Sequence, residues 1–225
     1  MEDTILLIPT LNEEMNISTI LQEAKKIKIK SIVIDGNSKD RTVEFAKRGG
    51  AEVIIQNGKG KGSAVIQAFK YIIKKYPKYK YIAMIDGDLT YPVHDIPSLV
   101  NSFSEGVVMV NGSRLNKMME KGAMTKLNFI GNKFLNGFAN LLHKTGTQDI
   151  LSGLKIFDVY AVKKILPYMK AEGFSTETEM TILLSRIGKI KDCPIKYSKR
   201  GGETKLSPLR VGYRILDTII KMKSD

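Results

Sequence analysis

Two aspartates one residue apart, Asp86 and Asp88, close the apolar run at residues 82–85. Alternate residues leaving a strand project to the same side of the chain, so both carboxylates can approach one cation. A hard divalent ion takes carboxylate oxygens and completes its shell with phosphate oxygens, so Asp-x-Asp suits a metal that holds a diphosphate. A solvated turn is the plainer reading, since Asp and Gly are common turn residues. Asp35 ends another apolar run, where an acid can accept from a base or ribose donor. Asp40, five residues on, fits a helix cap. Gly58-Lys59-Gly60-Lys61-Gly62 precedes a helical pattern and lets backbone and lysine approach a phosphate, although the Walker A spacing is missing. His94 and His143 have no partner at ligand spacing and read as surface or packing residues. Cys193 lacks an evident catalytic histidine, which argues against a thiol nucleophile.

These residues need elements to position them. Short apolar runs at 5–8, 31–34, 53–55, 81–85 and 107–110 read as buried strands. Helical spacing is present at 16–27, 42–48, 63–76, 96–103 and 124–142, with Asp40 and Asp95 as expected caps. Strand alternating with helix predicts an α/β fold, a mostly parallel sheet covered by helices on both faces, whose ligands lie beyond the carboxyl ends of the strands. Five polar loops, PTLNEE, DGNSKDRT, NGKGKG, DGDLTYP and NGSR, fall at those ends. After about residue 115 the alternation lapses. No linker or repeat divides the chain, and 225 residues fit one globular domain, 1–225.

The formal charge of +13 admits nucleic acid, anionic lipid or a phosphorylated small molecule as partner. The lysines are spread along the whole chain and no nucleic-acid-binding motif accompanies them, so we expect no nucleic-acid partner. A single cysteine excludes an internal disulfide, and the first residues lack the blocks of a secretory leader, so a cytoplasmic location is expected. No apolar run approaches the roughly 20 residues of a membrane span.

Taken in order, PTLNEE, VIDGNSKDRT, GKGKGSAV, MIDGDLTYP, NGSR, QDILSGLKIF, GFSTETE and KRGGETKLS make a chain that resembles the family 2 glycosyltransferases, in their dolichyl-phosphate mannose synthase-like branch. The resemblance covers almost the whole chain. It implies a GT-A fold, with a Rossmann-like nucleotide-sugar-binding half at 1–114 and an acceptor half with an interfacial helix at 115–225. It also implies a nucleotide-diphospho-sugar donor (GDP-mannose or a UDP-sugar) and Mg2+ or Mn2+. By the same resemblance Pro9, Leu11, Glu13 and Asp35 surround the nucleoside, with Lys61 nearby. Asp86 faces the ribose and phosphates, and Asp88 is the principal ligand of a metal shared with Asp86. Asp149, Ser152 and Gly153 lie near the donor sugar, and Glu179 lies on the acceptor side. Arg114, Lys133, Arg200 and Lys205 match positions that hold a lipid phosphate. Leu11 stands where the family often has an aromatic residue, and Thr90 where the mannose synthases have a glutamine, which leaves the base and the third metal ligand open. Lys133 replaces an arginine, keeping the charge without the bidentate geometry.

The implied acceptor is dolichyl or polyprenyl phosphate, an anion whose oxygen attacks the anomeric carbon without a dedicated base. A single inverting displacement follows, giving a lipid-linked sugar phosphate. Leu127, Ile130, Phe134, Phe138 and Leu141 form one apolar stripe beside Lys126, Lys133 and Lys144. Val211, Ile215, Ile219 and Met222 form another in the tail. Each stripe either rests on a membrane surface or packs on the core. The first choice implies a peripheral position on the cytoplasmic membrane face, with a small membrane-protein partner in some relatives. The same fold acting on a soluble acceptor such as 3-phosphoglycerate is the alternative, and a basic nucleic-acid-binding protein a more distant one.

Overall fold

A computed structural model of the chain describes residues 1–170, 173–200 and 208–223. The first half runs β1 (Thr4–Thr10), α1 (Ile17–Lys26), β2 (Lys30–Asp35), α2 (Thr42–Arg48), β3 (Glu52–Ile55), α3 (Lys61–Lys75), β4 (Tyr81–Met84), α4 (Ile96–Val100) and β5 (Val107–Ser113). The second runs α5 (Lys126–His143), β6 (Lys155–Asp158), α6 (Val159–Ile165), α7 (Thr176–Ser185), β7 (Lys189–Pro194) and α8 (Pro208–Lys221). The seven strands form one sheet in the order β3-β2-β1-β4-β6-β5-β7. Only β6 is antiparallel to its neighbours, β4 and β5, and the other six strands point the same way.

Side chains alternate across a strand, and here both faces are apolar. Ile5 and Leu7 enter one core with Phe69 and Phe157, while Leu6 and Ile8 enter the other with Ile17 and Ile20. This two-sided burial is why the strands read as continuous apolar runs. The first five strands match their expected positions to within a few residues. Helix α3 starts at Lys61 rather than 63, which puts Lys61 in the first helical turn. Asp95 occupies the cap of α4 without a capping hydrogen bond, and Asp40 lies one residue ahead of the α2 cap.

The apparent lapse after residue 115 hides two strands and two helices. Strand β6 has four residues and includes a buried lysine, and β7 (KIKDCP) is polar and half-exposed along its length. Helix α7 is buried on every side, so no apolar stripe marks it. The direction of β6 decides the geometry of the site: because it runs backwards, the residues that precede it, not those that follow, reach the carboxyl edge.

Helix α5 is held by amides. Asn136 Nδ2 donates to Thr147 O at 3.0 Å and its Oδ1 accepts from Ile150 N–H at 3.0 Å. Asn140 Nδ2 donates to the same Thr147 carbonyl at 2.7 Å. His143 Nε2 meets Ile219 O at 2.7 Å, which ties α5 to α8. The tail stripe faces inward, with Ile215, Ile219 and Met222 in the core, so of the two alternatives for this stripe the structure shows packing on the core. No helix among the described residues is long and apolar enough to cross a membrane.

Lys155, on β6, has no exposed surface, and its Nζ donates to Asn111 Oδ1 at 2.8 Å. Burial pulls the ammonium down to about 8, although Asp149, Glu177 and Asp192 push it up. An unfolded lysine titrates near ~10.4, so above the folded value the unfolded chain binds more protons and stability rises with pH. Urea unfolding is expected to show a gain of roughly 2 kcal/mol from this group between about pH 8 and pH 10. Lys155→Met should remove that increment, and an unchanged pH profile in the variant would reject the assignment.

Candidate active site

The loops after β1 and β2 are stitched into one wall. Asn12 N–H donates to Ser38 Oγ at 2.8 Å, and Lys39 N–H donates back to Asn12 Oδ1 at 2.8 Å. Asp40 accepts from Glu14 N–H at 3.2 Å and from Thr42 N–H at 3.0 Å. Asn12 and Asn37 take φ of 56° and 66°, a region asparagine tolerates better than most residues. Asp35 has no exposed surface, and its oxygens accept from Ser38 N–H at 2.8 Å and Ser38 Oγ at 2.5 Å. These bonds make it the anchor of its own loop. Pro9 is half-buried near the end of β1, and Leu11 is 57% exposed in the loop that follows.

Beyond this wall six ionisable side chains meet. Lys61 Nζ bonds Asp86 Oδ1 at 2.5 Å and also contacts Glu177 Oε1. Arg200 reaches Glu13 Oε1 at 2.9 Å and Asp88 Oδ2 at 3.6 Å. The other oxygen of Asp88 is fixed by Thr90 Oγ1 at 2.6 Å. Thr90, which stands where a glutamine ligand was the family expectation, therefore acts here by orienting Asp88. Burial and the neighbouring Asp86 raise the pKa of Asp88, and burial raises that of Glu13. Lys61 shows the reverse balance: burial works against its charge, but Asp86 and Glu177 outweigh it and hold the ammonium well above its usual value. Among the described residues, the groups joined by these ion pairs are four carboxylates and two cations.

A second layer supports the first. Arg114 is buried, and its Nε and Nη2 bond the two oxygens of the buried Asp149 at 2.9 and 2.8 Å. Its guanidinium lies 5.3 Å from the centre of the Tyr197 ring. Arg114 was expected at a lipid phosphate and Asp149 near the sugar; in the structure the two form a buried ion pair. Ser152, fully buried, donates to Gly112 O at 2.6 Å. Gly153 N–H donates to Tyr91 Oη at 2.7 Å, and a Cβ on Gly153 would sit 2.0 Å from Asp86 Oδ2. Glycine is required there because the Asp86 carboxylate occupies the space of a side chain.

Glu179 accepts from Lys170 N–H at 2.7 Å. The acid of the ETE segment that meets Lys61 is Glu177, two residues earlier, which the sequence reading did not single out. Tyr91 and Tyr197, 5.2 Å apart between ring centres, were also missed, because an isolated tyrosine carries no spacing signal. Lys133 is exposed on α5 and lies 4.9 Å from the Phe129 ring centre. Lys205 falls outside the described residues.

Among the described residues no group of three or more His, Cys, Asp or Glu could by itself hold a metal. The donor set that remains, Asp86 and Asp88, is two hard carboxylates. It fits magnesium or manganese, which bind through one or two carboxylates and draw the rest of their shell from water and phosphate. The two cations drawn onto these acids show that the local field favours positive charge.

Residues 5–166 match the family model described as glycosyl transferase family 2. Glycosyltransferase AglJ of Haloferax volcanii is 35% identical over 211 residues, which span 92% of this chain and 67% of that protein. The dolichyl-phosphate hexose transferase of the same organism is 30% identical over 225 residues, 98% of this chain and 94% of the other. Glucosyl-3-phosphoglycerate synthase from Mycobacterium tuberculosis, solved with Mn2+, UDP and glucosyl-3-phosphoglycerate, aligns with a TM-score of 0.78 at 18% identity. That alignment covers 98% of this chain and 80% of the synthase, and it shows the shared GT-A fold.

Gly153→Ala is expected to push Asp86 aside while leaving the fold intact. A displacement of about 1 Å at a reacting group costs on the order of 10²-fold in rate. Turnover should fall by about that factor while the melting temperature moves by only a few degrees. Gly212→Ala, where an added Cβ meets nothing within 4 Å, serves as the control. Retained turnover in Gly153→Ala would show that the close packing against Asp86 does not matter.

Proposed function

The chain belongs to the family 2 glycosyltransferases, and on that premise we propose that it transfers a hexosyl residue from a nucleotide-diphospho-sugar to dolichyl or polyprenyl phosphate. The observation that carries the lipid reading is the outward face of α5. Leu127, Ile130, Phe134 and Leu141 are 64, 66, 62 and 76% exposed, on a helix whose opposite face is pinned by Asn136 and Asn140. The expected stripe is thus solvent-facing except for half-buried Phe138, which stacks on Phe134 with ring centres 6.3 Å apart. Monomeric soluble proteins rarely leave such a stripe uncovered. Immersing four large apolar side chains at about 1.5 kcal/mol each contributes roughly 6 kcal/mol, enough for reversible attachment to a bilayer surface. Lys126, Lys133 and Lys144 beside the stripe add attraction to anionic lipid, on the order of 1 kcal/mol each. An apolar groove of about 300 Å³ lined by Met119, Met124, Lys126, Phe129 and Ile130 adjoins the stripe and suits an isoprenoid chain.

For the chemistry, Pro9, Leu11 and Glu13 border the nucleoside, and Asp86 with Asp88 hold Mg2+ or Mn2+. The bound cation supplies charge stabilisation to the departing diphosphate. Lys61 and Arg200 add two further positive charges at the same place. An acceptor phosphate oxygen forms the bond to the anomeric carbon as the bond to the diphosphate oxygen breaks, with inversion. No proton need be removed from an acceptor that is already an anion. Asp149, through Arg114 and Tyr197, keeps the acidic loop backed by a rigid layer, so catalysis rests on positioning and charge. Donor recognition falls to residues 1–114 and acceptor recognition to 115–225, with Lys133, Arg200 and Lys205 toward the lipid phosphate. On this reading the enzyme is attached through α5, peripherally on the cytoplasmic membrane face. The partners on this reading are the nucleotide-sugar donor, the lipid phosphate and the membrane surface, with a small membrane-protein partner as in some relatives.

The decisive assay pairs labelled GDP-mannose, UDP-glucose and UDP-N-acetylglucosamine with dolichyl phosphate in vesicles and with 3-phosphoglycerate, with Mg2+ or Mn2+. Metal-dependent label in the organic phase is expected, lost at least 10²-fold in Asp88→Asn. Phe134→Asp should cut transfer to vesicle-borne acceptor about tenfold and leave binding of UDP or GDP unchanged. Label found only on 3-phosphoglycerate would replace the lipid with the soluble acceptor.

A further inference from the structure

The two basic residues of the ion cluster each hold two acids, and the acids divide into two kinds. Asp86 and Asp88 belong to the acidic loop after β4. Glu177 comes from buried α7, and Glu13 from the loop after β1. We propose that Lys61 and Arg200 are exchangeable counter-ions. They cover Asp86 and Asp88 in the free enzyme and withdraw onto Glu177 and Glu13 when a divalent cation takes the aspartates, which makes those two glutamates positioning residues for donor binding. This rests on the metal reading of Asp86 and Asp88 given above.

Burial decides which partner Lys61 keeps. The Glu177 side chain is 6% exposed, whereas that of Asp86 is 27% exposed. Stripping the cation from a buried carboxylate is costly, while the more exposed aspartate can exchange one cation for another. For Arg200 the distances decide: Glu13 is at 2.9 Å and Asp88 at 3.6 Å. Glu13 is itself fixed, since its Oε2 accepts from Asn16 Nδ2 at 2.7 Å. The charge balance agrees. Among the described residues the directly ion-paired groups are four carboxylates and two cations, an excess of two negative charges that a single divalent ion offsets when Lys61 and Arg200 stay in the cluster. If Lys61 stayed on Asp86 as well, an ammonium and a dication would share one carboxylate in a partly dehydrated site, and like charges there repel strongly. Withdrawal onto Glu177 and Glu13 separates the charges and leaves both basic side chains beside the aspartates, where a donor diphosphate arrives.

The test is Mn2+ binding followed by electron paramagnetic resonance, first with Mn2+ alone and then with UDP or GDP. Lys61→Met removes the competitor for Asp86, so Mn2+ alone should bind about tenfold more tightly, while the nucleotide in the presence of Mn2+ binds about tenfold more weakly. Glu177→Gln leaves Lys61 with Asp86 as its remaining acid in the cluster, so Mn2+ alone should bind several-fold more weakly. Opposite shifts in the two variants cannot come from partial unfolding. If Lys61→Met does not fold, Lys61→Gln, which can still donate to Glu177, takes its place with the same expected direction. Unchanged or weaker Mn2+ binding in the Lys61 variant, with nucleotide-dependent Mn2+ uptake intact in the wild type, overturns the exchange and leaves the metal reading standing. No Mn2+ uptake by the wild type beyond that of Asp88→Asn, with or without nucleotide, overturns the metal reading and the exchange together.

Discussion

Close carboxylates in a partly dehydrated site are the constraint on which the rest of this structure depends. Asp86 and Asp88 leave a buried strand into one turn, Glu13 from the loop after β1 and Glu177 from α7 join them through shared cations, and close carboxylates repel one another unless cations intervene. The protein supplies those cations from opposite ends of the chain, Lys61 from the first turn of α3 and Arg200 from the segment after β7. Elements remote in sequence are therefore held at one sheet edge by charge as much as by packing. The stitched loops after β1 and β2 matter for the same reason, since they fix the backbone that carries Glu13.

The reversed strand β6 gives this edge its other half. A further parallel strand would have delivered its trailing residues here. Reversal delivers its leading ones instead, so Asp149, Ser152 and Gly153 enter the site ahead of Lys155. Each then has a contact that its neighbours need: Asp149 neutralises Arg114, Ser152 ties the turn to β5, and Gly153 leaves room for Asp86. Arg114 and Asp149, each expected as a ligand-contacting residue, form a bidentate pair. A planar guanidinium matches a carboxylate closely enough to serve as a rigid backing for the acidic loop.

The sequence made the first half of the fold legible because its strands, the edge strand β3 apart, are largely buried on both faces and its helices on one, so periodicity separates them. It also exposed Asp86, Asp88 and Lys61, which sit where an apolar run or a glycine-rich loop stops. Legibility failed where burial is complete or absent. All faces of α7 are covered, so Glu177 lies in a stretch without a stripe, and β7 is half-exposed and reads as polar. Asp35 shows a different limit. Its position at a strand end was readable, but its engagement by Ser38 depends on loop conformation that no spacing rule encodes.

The two amphipathic helices carry the same lesson further. By periodicity α5 and α8 are alike, each with an apolar stripe among lysines or arginines, yet α8 turns its stripe into the core and α5 turns most of its stripe out. Periodicity reports which face is apolar, not what covers it. What distinguished α5 was its second stripe, asparagines at 128, 132, 136 and 140, spaced to fall on one side of the helix. Two of them, Asn136 and Asn140, take up the Thr147 carbonyl and backbone N–H groups of the following loop. Buried amides must be satisfied, and this loop offers partners that bulk water would otherwise supply. The asparagines thus act together with the buried Leu135 and Ala139 to fix the orientation of the helix, and the stripe of Leu127, Ile130, Phe134 and Leu141 faces outward as a consequence.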